Sequence, residues 1–287
     1  MRKLIKIELR KAITSRSFII VLAIAFLIAV ICAAYNIQFI EQEQRYYEKA
    51  VTVTGEGMNP DLPAYGLYNH WICQDFTSFS ASLFWVLFPA FAAISYGWSF
   101  FTERKTGYIK NIITRTEKSQ YYWAKYITTF IAGGLAVTVP VLINLIICAM
   151  YLPAVRPDIF YDINYGVYMP SMFSEIFYRT PLLYVLLRVL IVFLYSGGAA
   201  VISFTLAFIV PNRIAVVLLP FIICIGLHYT GSLMLPGSFN IELSPIYIVG
   251  SNGIRFRRLW VVLLEPIVSI LISLTVCLYK GKKEDVL

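Results

Sequence analysis

The residue types that perform covalent or metal chemistry are few in this chain and poorly spaced for it. There are two histidines, His70 and His228, and no H-E-x-x-H pair. Zinc chemistry needs a cluster of ligands, so no metal site is expected. Ser196-Gly197-Gly198 places a hydroxyl beside two glycines. Small residues inside an apolar run are, however, the surface along which two helices approach closely, and packing is the expected role. Of five cysteines, Cys32, Cys148, Cys224 and Cys277 lie in apolar stretches, where Cys acts as a small apolar residue. Cys73 stands apart, either as a free thiol or as a contact between molecules. No G-x-x-x-x-G-K-[ST] loop is present, so the chain has no P-loop with which to cradle ATP. No catalysis is expected of it.

Two ionisable residues interrupt apolar runs, His228 and Glu265, the latter followed by Pro266. An acid inside hydrocarbon is costly and marks a function or a buried partner. The alternative is that Glu265 sits at a membrane boundary and pairs with Arg255, Arg257 or Arg258. His228 has a similar choice, with a hydrogen-bonded packing role favoured. His228, Glu265 and Pro266 are the candidates for a pathway or outer gate.

The elements that carry these residues follow from composition. Of 287 residues, 59% are hydrophobic and 14% charged, with a mean hydropathy of +0.72. A soluble domain carries about 25% charged residues, so a soluble enzyme and a disordered chain are both excluded. A spanning helix needs about 20 apolar residues. Six stretches qualify, at residues 17–40, 79–102, 126–152, 182–210, 214–235 and 259–279, the last with Glu265 inside it. The first is too long for a cleaved signal peptide and is read as a span. No internal repeat and no ion filter stand out. The expectation is an all-α integral membrane protein, residues 1–287 forming one domain without a nucleotide-binding module.

The net charge of +8 is read by location. Sixteen of the 24 lysines and arginines fall before span one, between spans two and three, at Arg213 and in the tail. Both termini are therefore expected in the cytoplasm, and no nucleic acid is expected as a partner. The cluster from Arg255 to Arg258 departs from the rule locally. Tyr46, Tyr47, Tyr65, Tyr68 and Trp71, and on the other side Tyr121, Tyr122 and Trp123, are read as interfacial belts.

Two segments carry a mechanism. In MRKLIKIELRKAITSR, Leu4, Ile5, Leu9, Ala12 and Ile13 share a helical face and the cations lie largely on the others, which describes an amphipathic helix at the cytoplasmic interface. In FTERKTGYIKNIITRTEKSQYYWAKY, Gly107 permits a turn after the helix carrying Glu103, and Tyr108, Ile109, Ile112 and Ile113 form a short apolar stripe flanked by Lys110 and Arg115. Thr116 or Ser119 is expected to cap the following span. Such a helix suits either a groove in another protein or the lipid surface.

The N-terminal helix, the six spans, and Glu103 and Gly107 followed by Arg115, Tyr122 and Lys125 together resemble the membrane (permease) subunit of type-two, export-class ABC transporters. The resemblance covers most of the chain by architecture, but its residue pattern occupies only about 25 positions. It implies that the loop 103–125 is a cytoplasmic coupling helix docking on a separate P-loop ATPase, through Glu103, Arg104, Lys105, Gly107, Tyr108, Ile112, Arg115 and Tyr122. ATP and Mg would be bound by that partner, and the permease would work as a dimer with a second copy or a paralogue. It further implies a re-entrant outer hairpin before the last span, which Pro236-Gly237, Pro245, Gly250 and Gly253 would break. The location implied is a bacterial cytoplasmic membrane, and the substrate a peptide, antimicrobial or drug. The alternatives are an ATP-independent channel or secondary transporter, and a receptor or immunity protein that binds an extracellular peptide.

Overall fold

The computed structural model describes residues 1–55, 66–75, 77–158, 167, 171–234, 243–250 and 259–283. Among these there is no β-strand, and eleven α-helices follow one another. They are α1 (Arg2–Ile13), α2 (Arg16–Thr54), α3 (Phe79–Ala92), α4 (Ser99–Lys105), α5 (Tyr108–Ile113), α6 (Lys118–Tyr151), α7 (Ser174–Arg179), α8 (Pro181–Leu206), α9 (Arg213–Met234), α10 (Pro245–Gly250) and α11 (Leu259–Lys283). A π turn, Ala93–Gly97, joins α3 to α4 in one continuous rod. Six rods are long and apolar enough to cross a membrane: α2, α3 with α4, α6, α8, α9 and α11. The chain is thus all-α and built as a multi-pass membrane protein.

Several helix ends are written locally. Ser15 accepts the Phe18 amide at 3.2 Å and opens α2. Gly55, at φ 69°, closes it in the left-handed conformation that a side chain disfavours. Ser78 accepts the Ala81 amide at 3.1 Å and opens α3. Pro181 starts α8, where a missing N–H costs nothing. Two helices run past the apolar stretches that mark their spans, and the cap expected at Thr116 or Ser119 is not used. Helix α2 runs to Thr54, well beyond residue 40, because its polar last third EQEQRYYEKAVTVT contains no breaker before Gly55. Helix α6 begins at Lys118, ahead of residue 126, with Glu117 at the cap position accepting from the Gln120 side chain and not from a backbone amide, and Thr116 bonds back to the Ile112 carbonyl.

The six rods alternate in direction. At one end the start of α2 meets the π turn (Ser17 to the Ser95 carbonyl, 3.4 Å), the end of α4 meets the end of α8 (Arg104 to the Ala207 carbonyl, 3.1 Å), and Arg213 of α9 lies 3.7 Å over the Trp98 ring. This is the basic end. At the far end the segment 66–75 is tucked inward and buried throughout. The Asn144 side chain of α6 accepts the Ile72 amide at 2.8 Å and donates to the Ala29 carbonyl of α2, while Trp85 donates to the Ile72 carbonyl. Tyr68 and Trp71 are therefore interior residues and not members of a belt, and so are Tyr121 and Tyr122 at the basic end. Tyr65 lies outside the described residues.

Small residues bring the central rods together, the expected role of the span-four glycines. A Cβ on Gly133 of α6 would stand 2.2 Å from the Ala200 Cβ of α8, and one on Gly197 would strike the Phe130 ring. The apolar core divides into two parts, one around Trp71, Trp85, Phe88 and Phe177 at the far end, the other around Phe100, Tyr122, Phe204 and Phe208 at the basic end.

Prolines inside α9 and α11 leave carbonyls without their usual amide, and α8 supplies hydroxyls to both. Pro220 cannot bond the Val216 carbonyl, which accepts instead from Ser203 at 2.9 Å. Pro266 likewise leaves the Val262 carbonyl, which lies 3.2 Å from the Tyr195 hydroxyl.

Candidate functional site

Among the described residues, a buried polar assembly lies at the basic end, where α1, the π turn, α4 and α6 converge. Helix α1 presents Leu4, Ile5, Glu8, Leu9 and Ala12 inward, and Glu8 is buried in the middle of that face. The π turn widens span two by a residue and turns Tyr96 toward α1. Wide turns of this kind recur at functional sites. Lys125 of α6 is fully buried among them. Its Nζ lies 3.0 Å from Glu8 Oε2, 2.7 Å from Glu103 Oε1 and 3.0 Å from the Tyr96 hydroxyl, and 4.5 Å from the Tyr96 ring centre. Tyr96 donates to Glu8 Oε2 at 2.9 Å, Tyr121 donates to Glu103 Oε2 at 2.5 Å, and Lys11 pairs with Glu103 Oε1.

Two carboxylates and two ammonium groups balance in charge, and each acid has more than one donor. That is the condition under which buried charge is tolerated. Lys11 is the member in contact with solvent. Partial burial works against its charge, but the hydrogen bond and charge of Glu103 outweigh that, and its pKa stays above the ordinary lysine value. Its ammonium also lies 4.6 Å over the Tyr108 ring, which links the cluster to α5. The arrangement is a joint that ties an N-terminal helix, two spans and a surface helix together.

Helix α5 sits on this joint. Gly107, at φ 72°, makes the turn into it, with nothing near the place a side chain would fill. Ile109 is buried, and Ile112 and Ile113 pack against the inner aromatic core. The apolar stripe expected to meet a partner is thus used to anchor α5 to its own chain. What remains outward is mostly polar: Tyr108, Asn111, Thr114, Arg115 and Thr116 line a groove of about 610 Å³, with the half-buried Ile112 at its inner edge.

The residues expected to contact an ATPase therefore divide. Tyr108, Lys105 and Arg115 are exposed, and Ile112 is half-buried. Glu103 is enclosed by Lys125, Lys11 and Tyr121, and Tyr122 is buried against Phe100 and Phe208. Arg104 donates to the Ala207 and Phe208 carbonyls just past the end of α8.

Glu8 escaped the sequence reading as a site residue, and Lys125 entered it only as part of a pattern. The signal was present: Glu8 interrupts the apolar row from Leu4 to Ala12 at helical spacing, and Lys125 follows Tyr121 by one turn at the mouth of an apolar span.

The other candidates gather toward the far end. Glu265 Oε2 lies 3.0 Å from the Tyr195 hydroxyl, and both line an apolar groove of about 620 Å³ between α8, α9 and α11. Pro266 lines it too, inside α11 and not at its start. His228 is held 2.8 Å from the Ser244 hydroxyl and stacks edgewise on Tyr247, just before α10 and within it. Of the expected outer hairpin, α10 is buried, and the Arg188 guanidinium of α8 donates to its Ile248 and Val249 carbonyls at 2.9 and 2.5 Å. Pro236, Gly237, Gly253 and the Arg255, Arg257 and Arg258 cluster lie outside the described residues. Comparison with family models, curated proteins and solved structures found no match.

Proposed function

We propose that this chain is the permease subunit of an ATP-driven exporter, coupled to a separate ATPase through the loop that carries α5. The observation that carries the reading is the mounting of α5: a surface helix with an outward polar groove, pinned by its apolar side to the inner core and joined through Lys11 and Glu103 to two spans. A displacement applied to such a helix moves spans instead of bending a loop. The sequence lacks a P-loop, so the energy must come from a partner. The resemblance to export-class permeases points the same way.

In this reading the permease works as a dimer in a bacterial cytoplasmic membrane with both termini inside, and it moves a peptide or drug. In their most apolar stretches only 17% and 28% of the residues of α9 and α11 are buried within the chain, against 61% for α8, so these two spans have the most surface to give to lipid, a second copy or a pathway. Glu265, Pro266 and His228 then lie beside that pathway.

The test is co-expression with a P-loop ATPase encoded beside the chain. Tyr122 and Glu103 are unsuitable targets because they are buried, so Tyr108→Ala and Arg115→Glu are the informative substitutions. The expected result is loss of ATPase capture and of ATP-driven transport, with the permease still monodisperse. Unchanged capture and transport in both variants would remove the coupling assignment. Transport that persists without any ATPase and follows an ion gradient would establish the ATP-independent alternative.

A further inference from the structure

The inward face of α1 belongs to the joint, but its outward face has no role there. Lys3, Lys6 and Arg10 recur at i, i+3 and i+7, within an arc of about 60° on the side opposite Glu8 and Ala12. All three are exposed, and none takes part in an ion pair among the described residues. They line up over roughly 10 Å of helix. Two apolar side chains flank them: Ile7 is 63% exposed and Ile13 40%. The helix leads through Ser15 directly into span α2, which holds it at the level where that span ends.

A row of cations is at home in water but the isoleucines beside it are not, and the two together suit a surface that offers anionic groups above hydrocarbon. We propose that the Lys3, Lys6 and Arg10 stripe is a binding surface for anionic phospholipid headgroups of the membrane that holds the spans. This goes beyond an interfacial position, which any bilayer would satisfy: the stripe selects for charge. An acidic protein surface would satisfy the cations, but it would leave Ile7 and Ile13 in water unless it also supplied apolar cover. The bilayer provides both at once. The same helix carries Glu8 and Lys11 on its other side, so headgroup binding bears on the joint beneath α5. The inference does not rest on the exporter reading.

Each lysine or arginine near an anionic surface contributes about fivefold in affinity at low salt, so the three together give roughly a hundredfold. The experiment uses the full chain in mild detergent, titrated with short-chain phosphatidylglycerol and with phosphatidylcholine of the same chain length, binding being read by native mass spectrometry. The wild type is expected to prefer phosphatidylglycerol. The Lys3→Gln, Lys6→Gln, Arg10→Gln triple variant should lose at least tenfold in that affinity with unchanged helicity. A second variant, Lys105→Gln, Lys110→Gln, Arg115→Gln, should keep the preference. Equal loss in both variants would show an unspecific charge effect and overturn the proposal. So would a triple variant that binds phosphatidylglycerol as the wild type does, including one in which the stripe instead governs capture of an ATPase.

Discussion

Lys125 is the residue on which the joint depends, and replacing it by Met tests the whole arrangement. Met keeps the length and apolar stem and removes the charge. In the native fold two carboxylates sit 3.0 and 2.7 Å from the ammonium. At an effective dielectric of about 20, each contact is worth roughly 5 to 6 kcal/mol before the cost of desolvation. Taking a lysine and two acids out of water consumes several kcal/mol per ion, so the net loss on removing the shared partner is about 3 to 5 kcal/mol. Lys11 remains on Glu103, so the stranded charge is chiefly that of Glu8. The assay is equilibrium unfolding in mixed micelles of a mild detergent and dodecyl sulfate, followed by helicity. Lys125→Met should lose about 3 to 5 kcal/mol, and adding Glu8→Gln should restore part of it, because the uncompensated acid is then gone. A single variant within 0.5 kcal/mol of wild type would refute the reasoning, and so would a double variant whose losses simply add.

Three further outcomes follow from the packing. Gly133→Leu should prevent close approach of α6 and α8 and cost several kcal/mol or abolish folding, while Gly226→Ala, with nothing within 4 Å, should stabilise α9 by about 0.5 to 1 kcal/mol; thermal melting of both variants in detergent checks this. Burial lowers the pKa of His70 from the ordinary 6.5, so its neutral form is favoured on folding, and stability present above pH 6.5 should be lost as pH falls below it; melting curves from pH 7.5 to 5 should show that loss, and His70→Gln should flatten it. Arg188→Met should cost about 1.5 to 3 kcal/mol and expose α10 to proteolysis, and Lys should rescue it only in part because a point charge replaces the two-pronged donor that spans Ile248 and Val249.

The six apolar runs were readable because crossing a membrane demands length and apolarity within one continuous segment. Their limits were not, since nothing in an apolar count marks where a helix stops in water: α2 continues through EQEQRYYEKAVTVT until Gly55. The inward tuck of 66–75 was also hidden. Its aromatic residues have the composition of a belt, and the Asn144 that fixes Ile72 lies seventy-two positions away. At the joint, Glu103 was identified from its place in the loop, but its partners come from α1 and α6, and only three-dimensional packing brings Glu8 to Lys125. The apolar stripe of α5 was legible as a pattern, whereas its direction was not.

The prolines of α9 and α11 give the bundle an unequal stiffness. Pro220 and Pro266 remove one rung from each of the two spans least gripped by their neighbours, and in each case a single side-chain hydroxyl of α8 occupies the gap. At each of these points the rod is held by a side-chain hydroxyl in place of its own helix rung. Tyr195 even has a second acceptor within reach at Glu265. Helix α8, seamed to α6 through glycine and alanine, is thus the rod against which both interrupted spans rest.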